Sequence, residues 1–401
     1  MKGLLPVEEA IRRVLDGVVP LESEAVAISD CLGRVLAEPL VARRSQPPRD
    51  VSAMDGYAVR AADVAALPAQ LAVIGAAPAG HPFAGQVSRG EAVRIFTGAV
   101  VPDGADAILL QEDVERLSEE RIAAREIVTT GQHIRRRGLD FEIGAALLPA
   151  GLRLGMRQLA LAAALDHANV PVRRKPLVAI IATGDELVPP GSDGPEDSIV
   201  ASNGYGIAGL VQSLGGAVRD LGIVADDKDK LATAIDAAEG ADILVTLGGA
   251  SVGDHDFAQE VLTERGMALD FWRIAMRPGK PLIFGRLGPM RVLGFPGNPV
   301  SSLVCSLLFL RPLVETMLGL APVEHAVSAT LGGPLRANDG RQDYLRAEIA
   351  IASDGTRIAT PFPRQDSSML STFAEAGCLI VRPPHTPAAL AGEACRVIIL
   401  P

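Results

Sequence analysis

Hydrophobic positions in the first part of the chain have helical spacing, which then gives way to the short runs typical of strands. Pro6 precedes Val7, Ile11, Val14 and Leu15, which would share one face of an amphipathic helix. The pattern predicts a second helix around residues 32–37. From about residue 47 to residue 143, β-like runs lie between Gly, Pro and Asp turns, at 71–74, 92–96, 107–110 and 125–128. These runs predict a β-rich inserted domain.

A regular alternation of strands and helices follows a predicted helix at 156–165 and a basic, proline-bounded linker at 171–175. The predicted order is strand 177–182, helix 205–214, strand 218–224, helix 228–239 and strand 242–247. Repeated units of this kind predict an α/β domain whose parallel sheet has helices on both faces. Strands at 281–285 and 292–295 and a helix at 300–318 would complete it. Later strand-like runs, at 344–351, 356–360, 378–381 and 396–400, indicate a small C-terminal β domain.

Length and charge narrow the classes of function. With 401 residues, the chain is long enough for about two to four domains. A net charge of -10 and only 3% aromatic residues argue against nucleic acid as a partner and favour a small ligand. The cysteines are widely spaced and form no C-x-x-C pair. Because no apolar leader or run of about 18 apolar residues occurs, we expect a cytoplasmic protein with no membrane contact.

Candidate chemistry lies in the loops that follow the predicted parallel strands, since ligands of open α/β sheets bind beyond the carboxyl ends. The first loop, Thr183-Gly184-Asp185-Glu186-Leu187, places two carboxylates directly after a hydrophobic strand. Carboxylate oxygens suit Mg²⁺ beside a phosphate, although acids at such a position also cap turns. Asp226 and Asp227 precede a predicted helix, where capping is the ordinary interpretation.

A second loop, residues 248–256, is rich in glycine and ends in acids. Its small residues could expose backbone N–H groups to an anion, and Asp254 and Asp256 could hold a cation beside it. The loop is neither a Walker A sequence nor G-x-G-x-x-G, and a structural turn is an open alternative.

Two stiff turns flank one predicted strand. They are Arg277-Pro278-Gly279-Lys280-Pro281 and Phe295-Pro296-Gly297-Asn298-Pro299. Proline fixes the backbone while Arg277 and Lys280 supply positive charge, which suits a phosphate or another oxyanion. Two structural turns with solvated cations would show the same pattern.

Five motifs in this order closely resemble the MoeA-type molybdopterin molybdenumtransferases across essentially the whole chain. They are Ser52-Ala53-Met54-Asp55-Gly56-Tyr57-Ala58, Thr183-Gly184-Asp185-Glu186-Leu187, residues 248–256, Pro278-Gly279-Lys280-Pro281 and Pro296-Gly297-Asn298-Pro299. The resemblance implies an elongated homodimer of multidomain subunits, with a central α/β pterin-binding domain, a β-rich inserted domain and a C-terminal β-barrel-like domain. The implied bounds are 1–46 with 143–175 for an N-terminal helical dimerisation domain, 47–142 for the insertion, 176–322 for the α/β domain and 323–401 for the C-terminal domain.

The resemblance also implies the reaction, in which adenylylated molybdopterin and molybdate give molybdenum cofactor and AMP with Mg²⁺ required. The catalytic residues it implies are Asp55, Thr97, Asp140, Glu186, Asp226 and Asp256, the last three of which would also ligate Mg²⁺. Residues it places close to the pterin, nucleotide or molybdate are Gly248, Gly249, Ser251, Gly253, Arg277, Lys280, Pro296, Pro299, Ser301, Arg346 and Ser371. Arg277 stands where the family often has Lys, and Leu139 replaces an acid common before Asp140.

Two other functions stay open. One is that of a molybdopterin adenylyltransferase, an enzyme that resembles the α/β domain alone. The motif at 52–58 argues against this function for the whole chain. Such an adenylyltransferase could also be a partner that the chain contacts. A scaffold that anchors receptors is the other alternative, and the absence of a further fused domain argues against it.

Overall fold

A computed structural model describes residues 4–248 and 257–401, which fall into two compact units. The first unit is made of the residues up to Glu24, Gly33–Ala37 and Val172–Pro401. The second is made of Ala25–Leu32 and Glu38–Pro171. The chain therefore passes between the units several times near its beginning.

The α-helices of the described residues are α1 Val7–Leu15, α2 Met156–Ala164, α3 Asn203–Ser213, α4 Lys228–Asp236, α5 Phe257–Glu264, α6 Pro299–Cys305, α7 Arg311–Met317 and α8 Leu370–Glu375. The strands of the first 173 residues are β1 Ser23–Ala27, β2 Leu40–Val41, β3 Val51–Ser52, β4 Gly56–Val59, β5 Ala69–Ala77, β6 Glu91–Ile95, β7 Ala107–Leu110, β8 Val114–Arg116, β9 Arg121–Ala124, β10 Ile134–Arg135, β11 Ala146–Leu148 and β12 Asn169–Arg173. The later strands are β13 Leu177–Thr183, β14 Leu187–Val188, β15 Ile199–Val200, β16 Ala217–Val224, β17 Ile243–Leu247, β18 Ala268–Arg273, β19 Met276–Arg277, β20 Pro281–Leu287, β21 Met290–Phe295, β22 Ala326–Leu331, β23 Gln342–Ile351, β24 Arg357–Pro361, β25 Cys378–Arg382 and β26 Ala394–Ile399.

The second unit contains a six-stranded sheet in the order β7-β4-β6-β5-β9-β8, so this region is β-rich as predicted. One predicted strand, at 125–128, is wrong. The strand that pairs with β5 is β9, which ends at Ala124 and whose last three residues are all buried.

The predicted helix at 32–37 is also wrong. Gly33 has a φ of +76°, which ends any helical run, and Leu36 instead forms an isolated antiparallel bridge with Val172. The local pattern of apolar residues matched helical spacing there, but the backbone hydrogen bonds go to a distant segment of the chain.

The α/β domain of the first unit has a six-stranded sheet in the order β16-β13-β17-β21-β20-β18. Four neighbouring strands, from β16 to β21, are parallel, which confirms that part of the prediction. The fifth, β20, is antiparallel to β21 because a tight turn at Gly288 joins them directly, without a helix between. One apolar core contains residues of α1, α3, α6 and α7, and a separate core contains residues of α4 and α5.

Helix α6 continues through a π-helical segment, Ser306–Leu310, into α7. The whole helix, Pro299–Met317, is apolar enough for its length to cross a membrane, with a mean hydropathy of 1.4, but 78% of that stretch is buried inside the protein. It is therefore a core helix of the α/β domain, and its amino end follows the turn at 295–299.

The C-terminal domain is a closed barrel. Its sheet runs in the order β19-β23-β24-β22-β26-β25, and a further pairing between β23 and β25 closes the ring. The five strands from β22 onward surround a core of small and branched residues. Strand β19 belongs to the polypeptide of the α/β domain, so the barrel sheet extends to the turn that contains Arg277.

Candidate functional site

Polar loops meet at the carboxyl edge of the parallel strands. Residues 225–227 follow β16, residues 184–186 follow β13, Gly248 follows β17, and residues 296–298 follow β21. Because these four strands are parallel neighbours, their following loops lie side by side. The start of β20 lies at this same edge, since β20 is antiparallel to β21. The edge therefore collects the acidic loop, part of the glycine loop and both Pro-Gly turns.

The acidic loop folds tightly against its neighbour. The Asp226 backbone N–H donates to Oδ1 of Asp185 at 3.1 Å, and this bond joins the ends of β16 and β13. The Glu186 carboxylate lies over Gly184, where a Cβ atom would be 2.6 Å from Oε2. Within residues 4–248 and 257–401, the Glu186 carboxylate is exposed and has no hydrogen-bond or ion-pair partner. An unpaired acid at a ligand-binding edge is suited to a cation.

Asp227, rather than Asp226, caps the following helix. Its side chain accepts a hydrogen bond of 2.9 Å from the backbone N–H of Lys230 in the first turn of α4. Asp226 is exposed at the carboxyl edge beside Asp185. The ordinary capping interpretation thus applies to Asp227 and not to Asp226.

Gly248 begins the glycine loop in a conformation that other residues rarely adopt. Its φ is +92°, and a Cβ atom there would lie 2.6 Å from the carbonyl oxygen of Thr183. Its N–H donates to the carbonyl of Phe295 at 3.1 Å, so it sits between the first loop and the second Pro-Gly turn. The predicted site residues Gly249, Ser251, Gly253 and Asp256 lie outside the described residues.

We expect Gly248→Ala to lower the free energy of unfolding by about 1–3 kcal/mol, because the added methyl group meets both backbone strain and a carbonyl oxygen. Gly209→Ala is the matched control: Gly209 is inside α3 with nothing within 4 Å of its Cβ position, so alanine should be neutral or slightly stabilising there. Urea unfolding of both variants measures the difference. Equal stabilities would contradict the close approach at Gly248.

The second Pro-Gly turn is clamped by polar residues that the sequence patterns did not identify. The Asn203 side-chain amide donates to the carbonyl of Gly297 at 2.8 Å and to Oγ of Ser302 at 3.2 Å. Ser302, fully buried, donates in turn to the carbonyl of Pro296. Only the position of Asn203 at the first turn of α3 could have suggested this role. Pro296 is itself buried, so packing as well as these hydrogen bonds holds it in position.

A loop of the barrel completes the clamp. The Ser367 carbonyl accepts the backbone N–H of Val300 at 3.1 Å, and its Oγ accepts the side-chain amide of Asn298 at 2.9 Å. Pro299 is the first residue of α6, and Ser301, which is 4% exposed, is buried in its first turn. Pro296, Pro299 and Ser301 therefore shape the turn more than they present side chains to solvent.

The two cations of the first Pro-Gly turn, Arg277 and Lys280, have different surroundings. Arg277 donates through Nε to Asp343 at 2.9 Å and through Nη2 to the same carboxylate, which is 5% exposed. Strand register places Arg277 directly opposite Asp343 in the barrel sheet. The ammonium of Lys280 is exposed, and no acceptor in the described parts of the chain lies within hydrogen-bonding distance of it. Of the two, Lys280 is the cation available to an anion.

Arg346 is buried in the barrel, at 2% exposure, and does not present its guanidinium at the surface. It donates to the carbonyl of Met369 at 3.2 Å and to Oε1 of Gln365 at 3.3 Å. The Gln365 amide returns a bond of 3.0 Å to the Arg346 carbonyl. Burial lowers the pKa of Arg346, and no carboxylate among the described residues pairs with it. Its contacts hold the loop that contains Ser367.

The second unit brings two predicted residues together. Gly56 pairs with Ile95 in adjacent antiparallel strands, so Asp55 and Thr97 lie next to each other just beyond that pair. Asp55 accepts the Thr97 backbone N–H at 2.7 Å and its hydroxyl at 2.8 Å. These bonds, with the charge of Arg94 nearby, hold the pKa of Asp55 below its ordinary value. Asp55 is therefore an ionised carboxylate at neutral pH.

The stability that Thr97 contributes should depend on pH in a definite direction. The pKa of Asp55 is lower in the folded protein than its ordinary value of about 4 in the unfolded chain. The bonds from Thr97 therefore stabilise the folded state fully at pH values above about 4, and this stabilisation is lost as the pH falls through the lower, folded-state pKa. We expect Thr97→Val to unfold more readily than the parent at pH 7, with the difference shrinking as the pH falls below about 4. Thr97→Ser keeps both donors and is the control. A difference between parent and valine variant that did not change with pH would contradict this interpretation.

The two remaining predicted residues are exposed. Asp140 accepts no side-chain hydrogen bond from described residues, and its backbone N–H donates to the carbonyl of Gln46 at 3.0 Å. Ser371 lies in the first turn of α8. Their roles stay predictions.

Within residues 4–248 and 257–401, no group of three or more His, Cys, Asp or Glu side chains is arranged to hold a metal ion. Glu186 and Asp226 come from adjacent strand ends and could supply two oxygen ligands, and the third predicted ligand, Asp256, lies outside that range. The described donors thus fit part of the ligand set that a hard divalent cation prefers.

Comparisons with known proteins agree with this architecture along the whole chain. Residues 5–165 match the family model of the MoeA N-terminal region (domain I and II), residues 179–316 match a probable molybdopterin binding domain, and residues 328–400 match the MoeA C-terminal region (domain IV). Family models thus match the N-terminal region, the α/β domain and the C-terminal barrel.

Similar full-length proteins include two bacterial relatives named molybdopterin molybdenumtransferase. The one from Haemophilus influenzae is 34% identical over 98% of both chains, and the one from Bacillus subtilis is 33% identical over 99% of this chain and 94% of the relative. Two solved structures of a molybdopterin biosynthesis MoeA protein from Pyrococcus horikoshii are 32% and 30% identical, cover 99% of this chain and have TM-scores of 0.88 and 0.82. The chain belongs to the MoeA family.

Proposed function

We propose that the chain is a molybdopterin molybdenumtransferase, which places molybdate onto adenylylated molybdopterin and releases AMP with the help of Mg²⁺. The observation that carries the proposal is the convergence of the acidic loop, Gly248 and both Pro-Gly turns at one edge of the parallel sheet. Relatives that carry this name align with nearly the whole chain, which supports the same activity here.

The geometry suits a substrate with concentrated negative charge. The scissile bond joins the phosphate of the pterin to that of the adenylate, and molybdate adds a further dianion. Lys280 is an exposed cation at the edge, with no acceptor bound among the described residues, and can attract either anion. The turn at Pro296, which Asn203 clamps, offers a rigid wall beside it.

Magnesium would be held by Glu186 and Asp226, with Asp256 as a third ligand. When bound, Mg²⁺ stabilises negative charge that develops on the phosphate oxygens as the bond to AMP breaks. Asp185 holds the backbone at Asp226, and the carboxylate of Glu186 lies over Gly184. The pterin dithiolene would supply the sulfur ligands of molybdenum, which accords with a protein whose cysteines are buried or half-buried.

The remaining parts of the proposal come from the family likeness. Asp55, Thr97 and Asp140 would act on the substrate as catalytic residues of the inserted domain, and Arg277, Arg346, Ser301 and Ser371 would support the binding of pterin or nucleotide. We further propose a cytoplasmic homodimer that receives its substrate from a molybdopterin adenylyltransferase and contacts neither nucleic acid nor membrane. The domain bounds proposed are 1–46 with 143–175, 47–142, 176–322 and 323–401.

Product analysis of the purified full chain tests the function. Adenylylated molybdopterin is incubated with Mg²⁺, with and without molybdate, and AMP and molybdenum cofactor are quantified. We expect AMP release that depends on molybdate and yields cofactor. Release of pyrophosphate from ATP and unmodified molybdopterin would instead identify an adenylyltransferase, and the absence of both products would identify a binding protein.

A further inference from the structure

Arg94 occupies an unusual place beside the pair of Asp55 and Thr97. It lies directly opposite Tyr57 in adjacent strands, and its guanidinium carbon is 5.2 Å from the centre of the Tyr57 ring. Phe96, two residues further along the same strand face, brings its ring centre to 4.6 Å from the same carbon. Two aromatic rings thus lie within cation–π distance of one guanidinium.

Arg94 donates hydrogen bonds to the segment that contains Asp55 and to the segment that contains Thr97. Nη1 donates to the carbonyl of Gly56 at 2.6 Å, next to Asp55, and to the carbonyl of Ile95 at 3.2 Å, two residues before Thr97. Nη2 donates to Oε1 of Gln111 at 2.6 Å. The backbone N–H of Gln111 donates to the carbonyl of Asp55 at 3.3 Å. The guanidinium therefore joins three segments of the chain, two through backbone carbonyls and one through the side chain of Gln111.

Arginine is the side chain that these contacts require. Its rigid fork reaches three acceptors at once while its flat faces contact aromatic rings, and a lysine ammonium can do only part of this. Arg94 forms no ion pair with a carboxylate among the described residues, and its charge acts on Asp55 through space. The acceptors it uses are neutral, so its positive charge stays available to the nearby acid.

We propose that Arg94 is a positioning residue of the reaction, which holds Asp55 and Thr97 in the geometry that the substrate meets. This inference rests on the proposed function, because it assigns Asp55 to the reacting site. It adds a residue that the motif comparison does not include. The role is indirect: Arg94 acts on the substrate only through Asp55 and Thr97.

The test combines kinetics with a double-mutant cycle. AMP release from adenylylated molybdopterin is measured for the parent, Arg94→Gln, Arg94→Lys, Asp55→Asn and the double variant Asp55→Asn with Arg94→Gln. We expect Arg94→Gln to lower kcat by about 10- to 100-fold with little change in KM, the size expected when a reacting group is misplaced. Arg94→Lys should recover part of the loss. In the Asp55→Asn background, Arg94→Gln should cause a clearly smaller loss than in the parent.

Arg125→Gln is the matched control, because it removes an exposed ion pair with Glu115 from the same unit. Its kcat should equal that of the parent. Losses that multiply independently in the double variant, or a parent-like kcat in Arg94→Gln, would overturn the inference.

A second readout separates this inference from the proposed function. Titration of the Asp55 carboxyl is followed by ¹³C NMR in the full chain, without substrate. The pKa of Asp55 should be higher in Arg94→Gln than in the parent and in Arg125→Gln, since the nearby positive charge is lost. An unchanged pKa overturns the positioning role even if the enzyme is active. If the parent releases no AMP while this pKa rises, the proposed function fails and the structural link between Arg94 and Asp55 stands.

Discussion

Replacing Glu186 with glutamine is expected to lower the rate of molybdate-dependent AMP release by about 100-fold or more. Glutamine keeps the size of the side chain and one oxygen but removes the negative charge that would hold Mg²⁺. Because Glu186 is exposed and unpaired among the described residues, the variant should unfold at the same urea concentration as the parent. Raising the Mg²⁺ concentration should restore part of the rate.

Glu239→Gln is the control for this prediction. Glu239 lies shortly before β17, at the opposite end of the sheet, so its loss of charge should not alter AMP release. A Glu186→Gln variant that kept the parental rate and Mg²⁺ dependence would remove Glu186 from the metal site. The same result would leave Asp226 and Asp256 as the only proposed ligands.

The largest loss of stability is expected for Arg346→Met. The variant removes a buried guanidinium that donates to Oε1 of Gln365 and to the carbonyls of Met369 and Arg364. Hydrogen bonds to a charged group contribute about 1.5–3 kcal/mol each, so we expect the free energy of unfolding to fall by about 3–5 kcal/mol. The loop that contains Ser367 should also become sensitive to limited proteolysis, because Arg346 holds it from within the barrel.

Arg364→Met is the matched comparison in the same loop. Its side chain is exposed, so the change in the free energy of unfolding should stay within about 0.5 kcal/mol. If Arg346→Met were as stable as Arg364→Met, the guanidinium would not be a structural part of the barrel. Direct contact with an anion would then be the better interpretation of Arg346.

The sequence correctly predicted those helices and strands in which the spacing of apolar residues matches the positions that are buried. The strands β13, β16 and β17 and the helices α1 and α2 were predicted within a few residues, since their apolar spacing matches their burial. The segment at 32–37 was not, because a bridge to distant Val172 decides its conformation. No short window of sequence contains that partner.

The candidate site was predicted unevenly for a similar reason. The acidic loop and both Pro-Gly turns were predicted to meet at the sheet edge, because the positions of loops after parallel strands follow from topology. The ion pair of Arg277 with Asp343 was not predicted, and neither was the burial of Arg346, because both depend on how the barrel packs. Asn203 and Ser367 were missed since each acts on a turn far away in sequence.

Anomalous diffraction at the molybdenum absorption edge would test the central claim most directly. Crystals of the full chain would be soaked with molybdate, AMP and Mg²⁺. The account predicts a molybdenum peak at the carboxyl edge of the parallel strands, beside Lys280 and the turn at 296–299, that is lost in Lys280→Gln. A peak that forms only at the opposite edge of the sheet, or one that is unaffected by Lys280→Gln, would contradict it.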